Sequence, residues 1–252
     1  QTGEILQGQL DKALSGSLSN GATFAFEQGA LYKRVDPYTM MLTTAPSLSQ
    51  LNASNPVAGE EGLQLLLKTL GFNSHTTSVY PVEGGRVVKE GNDTLRISDS
   101  GTVIYDSAAK GNQATFQVAG KGEGPSQAET VEAIQKLAAR AAHSLCGEDV
   151  GLYLIHVTAL EKGVYRIRFG YSVDGAPVLL SNRGYAAEFL VEGTSVQSFT
   201  FRLRAYTASG ENAALLPERQ AVAALDTVKS GGELMIGYVD GGENVLQPGW
   251  LA

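Results

Sequence analysis

Between Val164 and Thr207 the chain reads VYRIRFGYSVDGAPVLLSNRGYAAEFLVEGTSVQSFTFRLRAYT, and no other stretch limits the fold so strongly. Tyr165, Ile167, Phe169, Tyr171 and Val173 share one parity, while Arg166, Arg168 and Ser172 share the other. Successive side chains of a strand point to opposite sides, so this pattern predicts a strand with one buried and one wet face. Asp174-Gly175 then supplies a hairpin turn, because glycine accepts the positive φ such turns require. Phe199, Phe201 and Leu203 repeat the alternation against Thr200, Arg202 and Arg204. These are antiparallel strands of a sheet with a covered face, and the cover is either a helix of the same chain or another subunit.

Helical periodicity appears in four places. Ile5, Leu6, Leu10, Ala13, Leu14 and Leu18 suit a first amphipathic helix over residues 4–18. Leu63, Leu66, Leu67 and Leu70 line one face of a helix over 60–70, with Gly71 as its left-handed stop. Ser126 and Glu129 form a capping box, each able to satisfy a free backbone N–H at a helix start. Val131, Ile134, Ala138, Ala141 and Leu145 draw the buried stripe of that helix, with Leu137 beside it and Gly147 as its stop. Pro217 suits the first turn of a last helix with Ala221, Val222, Ala224, Leu225 and Val228 on its apolar face.

Strands are predicted around these helices. Phe24, Phe26 and Leu31 read as a hairpin turning near Gln28-Gly29, followed by a strand over 40–43 and a polar loop, SLSQLNASNP. Residues 77–82 and 86–89 are short strands, and TLRISDSGTVIYD is a hairpin turning at Ser98 to Gly101. Residues 114–118 close this first sheet, while in the second 153–159 and 233–239 flank the opening segment and 186–191 is a strand within it. Residues 209–212 read as a loop. The run Gly120-Lys121-Gly122-Glu123-Gly124-Pro125 misses the glycine spacing of both dinucleotide and phosphate loops and marks a domain boundary instead. The expectation is an α+β protein of two lobes, 1–123 and 124–252, each an antiparallel sheet with one or two packed helices. Both halves run from helix to antiparallel strands, an arrangement compatible with structural duplication.

Chemistry is harder to place. The 252 residues suffice for one large domain or two ordinary ones. A formal charge of −7 disfavours nucleic acid, whose backbone is bound by clustered positive charge. Arg166, Arg168, Arg202 and Arg204 make a local basic stripe if their strands are neighbours, and they are the candidate interaction surface. His75, His143 and His156 lack ligand spacing, so no metal is expected, and no cofactor motif is present. His143 precedes Cys146 by three residues, but no orienting group or oxyanion site accompanies this thiol and imidazole. Glu60-Glu61 suits the start of its helix, and Glu192 reads as a surface residue. Cys146 is alone, so no intrachain disulfide forms. Tyrosines near arginines are compatible with a peptide or glycan groove, although sheet packing accounts for them more economically.

The second half, through VYRIRFGYSVDGAPVLLSNRGYAAEFLVEGTSVQSFTFRLRAYTASGE, LLPERQAVAAL and GYVDGGENVLQPGW, resembles the extracytoplasmic region of the YycH/YycI group of two-component-system regulatory proteins. The order carries the resemblance: a hairpin with an Asp-Gly-x-Pro turn, a long strand ending near Tyr206, a proline-started helix at Pro217, and Leu246, Pro248 and Trp250 at the end. It covers roughly residues 150–250, and LQLLLKTLGF and TLRISDSGTVIYD extend it less sharply into the first half.

The resemblance implies an extracytoplasmic regulatory module without catalytic activity, held to a Gram-positive membrane by an N-terminal transmembrane helix. Its implied partner is a cell-wall-linked sensor kinase or a homologous accessory membrane protein. No apolar run here is long enough to span a membrane. The glutamine start implies removal of an initiator, with an anchor or signal among the candidates. The alternative expectation is a module binding a small ligand or cell-wall fragment through aromatic and arginine-lined sheet surfaces. Oligomeric state is not readable from the sequence.

Overall fold

A computed structural model describes residues 7–9, 11–12, 15, 22–32, 37–38, 40–41, 45–73, 75–109, 113–118, 124–181, 184–228 and 234–251. In chain order the elements are β1 (Thr23–Phe24), a 3₁₀ segment (Ala25–Tyr32), β2 (Met40–Met41), β3 (Ser47–Ser54), α1 (Glu60–Leu70), β4 (Ser78–Val82), β5 (Gly85–Glu90), β6 (Asp93–Ser98) and β7 (Thr102–Ser107). There follow α2 (Gln127–Cys146), β8 (Val150–Glu161), β9 (Val164–Val173), β10 (Ala176–Leu180), β11 (Ala187–Glu192), β12 (Ser195–Arg202) and β13 (Ala205–Ala214). The chain ends with α3 (Glu218–Val228), β14 (Met235–Asp240), β15 (Val245–Leu246) and β16 (Pro248–Leu251). The fold is α+β, with mostly antiparallel pairing.

The chain divides into two compact units, but not at residues 123/124. One comprises residues 1–48, 214–235 and 250–252, and the other 49–213 and 236–249. The expected boundary fails because β12 pairs with β7, with Thr200 opposite Ile104 and Phe199 opposite Tyr105, so strands from both sides of it lie in one sheet. That sheet runs β16-β14-β10-β9-β11-β12-β7-β6-β5-β4, with β8 also on β9. Within it the sequence order of a helix followed by antiparallel strands occurs twice, once after α1 and once after α2.

The pairing registers translate sequence parity into two faces. One row across the larger unit joins Ile167, Phe189, Phe199, Tyr105, Leu95 and Val88, all at most 2% exposed. The neighbouring row joins Arg168, Glu188, Thr200, Ile104 and Arg96 on the opposite face. Burying the first row is the main driving force available to this sheet, each aromatic or aliphatic side chain contributing about 1.5–3 kcal/mol. Aromatic rings dominate it: Phe199 lies 4.7 Å from Tyr105 and 5.4 Å from both Phe189 and Phe201. Buried Asp93 accepts hydrogen bonds from Tyr105 (2.8 Å), Ser107 (2.6 Å) and Thr115, tying residues 113–118 to the sheet. Those residues contribute one bridge, Gln117 to Ser195, instead of the strand expected there.

α2 packs on β8 and β11 and against α1. Its capping box is formed, Ser126 Oγ accepting from Glu129 N–H while Glu129 accepts from Ser126 N–H at 2.9 Å. Ile134, Ala138, Ala141 and Leu145 are buried as the spacing predicts, but Thr130 takes the inward place that was expected for half-buried Val131. α1 ends at Gly71 in the left-handed region, φ 79°, as predicted.

Three local expectations are corrected. SLSQLNASNP is largely strand β3, which pairs with β15 despite its polar composition. Ser209 to Asn212 lies inside β13, not in a loop. Ala25–Tyr32 is 3₁₀ structure interrupted at Gly29, not a hairpin, and β1 pairs instead with β2. Of the helix expected over residues 4–18, residues 7–9 and 11–12 are helical and most of the remainder lies outside the described residues, as do residues 119–123 of the expected linker.

The smaller unit has its own core of Ala25, Met41, Ala221, Val222, Leu225 and Leu234, with Trp250 packed on it. Trp250 Nε1 donates to the Leu216 carbonyl at 2.9 Å, anchoring the chain end beside α3.

Candidate functional site

The larger unit contains a fork in its sheet. β9 pairs along its whole length with β8 on one side. On the other side it pairs with β11 up to Phe169 and with β10 from Tyr171 onward. Gly170 stands between the two pairings, so β10 and β11 diverge from it as the prongs of the fork. The β10 prong is fixed by a two-residue turn in which Asp174 and Gly175 both have positive φ, 48° and 80°, as a hairpin of this hand requires. Its other edge pairs in parallel with β14. Opposite Gly170 on β8 stands Tyr153, whose ring occupies the space of the missing side chain: a Cβ on Gly170 would lie 2.5 Å from Tyr153 Cζ.

Divergence of paired strands leaves space between them, and one cavity lies there with a second adjoining it at Leu180. The first, about 300 Å³, is mainly apolar and lined by Tyr153, Ile155, Gly170, Leu179, Leu180 and Tyr185 among others. The second, about 360 Å³, is the more polar of the two and is lined by Asn55, Asp99, Leu180, Arg202, Arg204 and Asp240 among others. They share Leu180, and Arg202 of the polar cavity lies 3.9 Å above the ring of Tyr185 in the apolar one.

The four arginines proposed from the sequence do not make one stripe, because β11 separates β9 from β12. Arg168 Nε donates to Glu188 at 2.6 Å, and Arg166 approaches the same carboxylate at 3.9 Å. Arg202 donates to the Tyr185 carbonyl at 3.2 Å and stacks on that ring, which Arg168 also approaches at 5.1 Å. Among the described residues Arg202 has no carboxylate partner. Arg204 has turned to Asp240, binding both oxygens at 2.9 and 3.2 Å. Thus Arg166, Arg168 and Arg202 share the polar face around Glu188 and Tyr185, while Arg204 belongs to a buried network.

That network is closed electrostatically. Asp240, 5% exposed, also accepts from Tyr206 Oη at 2.8 Å and Gly242 N–H at 2.8 Å. Burial alone would lower the Arg204 guanidinium, but the hydrogen bonds and charge of Asp240 outweigh it and push it up. Burial, reinforced by Asp240, holds the Tyr206 phenol well above its ordinary range. Tyr171 Oη donates to the Arg202 carbonyl at 2.9 Å and lies 3.4 Å from Cys146 Sγ. Burial pushes the Cys146 thiol up to about 11. It therefore remains protonated at neutral pH, enclosed by the core, while His143 is exposed on α2. The thiol and imidazole do not form a nucleophile and base.

The sequence reading missed Tyr153, Gly170, Tyr185 and Asp240. Gly170 carried a readable signal: glycine inside a long alternating strand marks a bulge or a close approach. The other three depend on pairings between distant segments. Among the described residues no three histidine, cysteine, aspartate or glutamate side chains gather as metal ligands, and no helix is long and apolar enough to cross a membrane.

Comparison with known proteins adds similarity in shape alone. No protein-family description matches the chain, and no curated protein matches it. Among solved structures it is similar to the crystal structure of an uncharacterized protein from Eubacterium rectale, at 13% identity and a TM-score of 0.45, over 81% of this chain and 76% of that one.

Proposed function

We propose that this protein is a non-catalytic regulatory module acting through protein contacts, with the polar face of its larger sheet as the contact surface. One observation carries the reading. The sheet is asymmetric: its aromatic face is shut, while Arg96, Arg166 and Arg168 on the other remain 57%, 40% and 40% exposed. Tyr80 and Ile104 lie exposed on that same face. Arginine and tyrosine are the residue types that contribute most at protein interfaces, because they combine large contact area with directed hydrogen bonds.

The resemblance read in the sequence of residues 150–250 to the YycH/YycI group is what suggests the proposed partner, a sensor kinase or a homologous accessory membrane protein, outside the cytoplasm and next to the membrane. The regulatory module then works by presenting a rigid surface. A photo-crosslinking residue at Thr158 or Arg96 of the open face, expressed in the organism of origin, tests this, with Lys136 on the exposed side of α2 as the control. Capture of such a membrane protein from the two face positions and not from the control is expected. Equal capture from all three, or none from the face, would sink the proposal.

A further inference from the structure

We propose that the crevice at the sheet fork binds a small organic carboxylate with a short apolar group, the carboxylate on Arg202 and the apolar group between Tyr153, Leu179 and Tyr185. This goes beyond the protein-contact reading and does not depend on it. Three features meet at one place. The crevice has a polar and an apolar compartment in contact, sharing Leu180. At their junction stands Arg202, whose guanidinium lies over the Tyr185 ring and, among the described residues, makes one side-chain hydrogen bond, to the Tyr185 carbonyl. Its forked N–H groups match a carboxylate bidentately, and the ring contact and carbonyl hydrogen bond restrain the side chain in advance, so less side-chain freedom is lost on binding.

The neighbouring cation cannot compete for the ligand. Arg204 lines the same polar compartment, but Asp240 occupies it with two hydrogen bonds and neutralises its charge. The apolar compartment has the complementary character. Tyr153 and Tyr185 supply aromatic walls, Leu179 and Ile155 aliphatic ones, and Gly170 lies at its base. Volumes of about 360 and 300 Å³ fall at the small end of the range for small-molecule sites, which fits a compact ligand and not a polymer.

The test uses three small probes added to the whole isotopically labelled chain: 4-methylpentanoate, its neutral counterpart 4-methylpentanamide, and acetate. Amide resonances are followed by two-dimensional NMR. With 4-methylpentanoate, saturable shifts centred on Gly170, Leu180, Tyr185 and Arg202 are expected, with Kd on the order of 1 mM for so small a ligand. The amide and acetate should each bind at least about tenfold more weakly, the first lacking the charge and the second the apolar group. R202Q should lose the 4-methylpentanoate response while R96Q, on the same face, keeps it. If R202Q does not fold, L179E at the exposed apolar wall should abolish the response instead. Equal binding of the amide or of acetate, retention in R202Q or L179E, or no shift at about 20 mM overturns the site.

Discussion

Replacing Asp240 by alanine should destabilise the larger unit by about 4 kcal/mol. Asp240 accepts four hydrogen bonds, two from Arg204 and one each from Tyr206 and Gly242. Adding their separate values, at about 1.5–3 kcal/mol for each bond to a charged group, would overestimate the effect, because the freed donors relax. Arg204 is 16% exposed and lines the polar cavity, so water can reach its guanidinium after the substitution. That places its share near the lower end of the roughly 3–5 kcal/mol seen when one partner of a buried pair is removed. Tyr206, 2% exposed, has no such access and adds about 1 kcal/mol for its unpaired hydroxyl. Urea unfolding followed by tyrosine near-ultraviolet circular dichroism should show the midpoint falling by about 1.3 M, taking a slope of about 3 kcal/mol per M. Asp240→Asn, which keeps one acceptor, should lose about half as much, and combining Asp240→Ala with Arg204→Met should recover part of the loss. A loss below about 1 kcal/mol in Asp240→Ala, or full additivity with Arg204→Met, would refute the account of a closed, coupled network.

Further outcomes follow from the same core. Phe199→Ala removes the ring that contacts Tyr105, Phe189, Phe201 and Phe116 and should cost about 3–5 kcal/mol in urea unfolding, a loss under about 1.5 kcal/mol contradicting the described packing. Cys146 should react with iodoacetamide roughly 10³-fold more slowly in the native chain than in urea, and comparable rates would show that the thiol is not enclosed. Stability should also fall in alkali. Burial raises Cys146, Tyr171 and Tyr206 above their ordinary values of 9.0 and 10.0, so these groups keep their protons when folded and lose them when unfolded. Their contribution is complete below pH 9 and is lost as pH rises through the folded value, about 11 for the thiol, with a slope of about 1.4 kcal/mol per pH unit for each group in its window. An unfolding midpoint unchanged between pH 8 and pH 10.5 would contradict this.

The alternation around Ile167 and Phe199, the Asp174-Gly175 turn, the Ser126 capping box and the Gly71 stop were legible because each depends on neighbours in sequence. What joins them was not. The bond between Arg204 and Asp240 spans distant segments, and nothing in the alternation of Arg202 and Arg204 distinguishes an arginine stacked on Tyr185 from one closed onto an aspartate. The boundary expected at residues 123/124 followed from a glycine-rich break, yet a break in helix and strand propensity does not end a sheet. Phe199 opposite Tyr105 carried the sheet across it through ring packing that parity alone cannot reveal. SLSQLNASNP reads as a loop by composition, but its backbone pairs, and pairing compensates for low β propensity.

The pairing of β7 with β12 also sets an order of events during synthesis. β7 spans Thr102–Ser107, whereas its partner, Ser195–Arg202, leaves the ribosome nearly a hundred residues later. At about 5–20 residues per second, the nascent chain carries an open strand edge beside Val103 and Tyr105 for roughly 5–20 s. Unpaired edges of this kind template pairing with other chains. The young polypeptide is therefore open to mispairing along that edge during the interval, a hazard created by topology and invisible in the finished molecule.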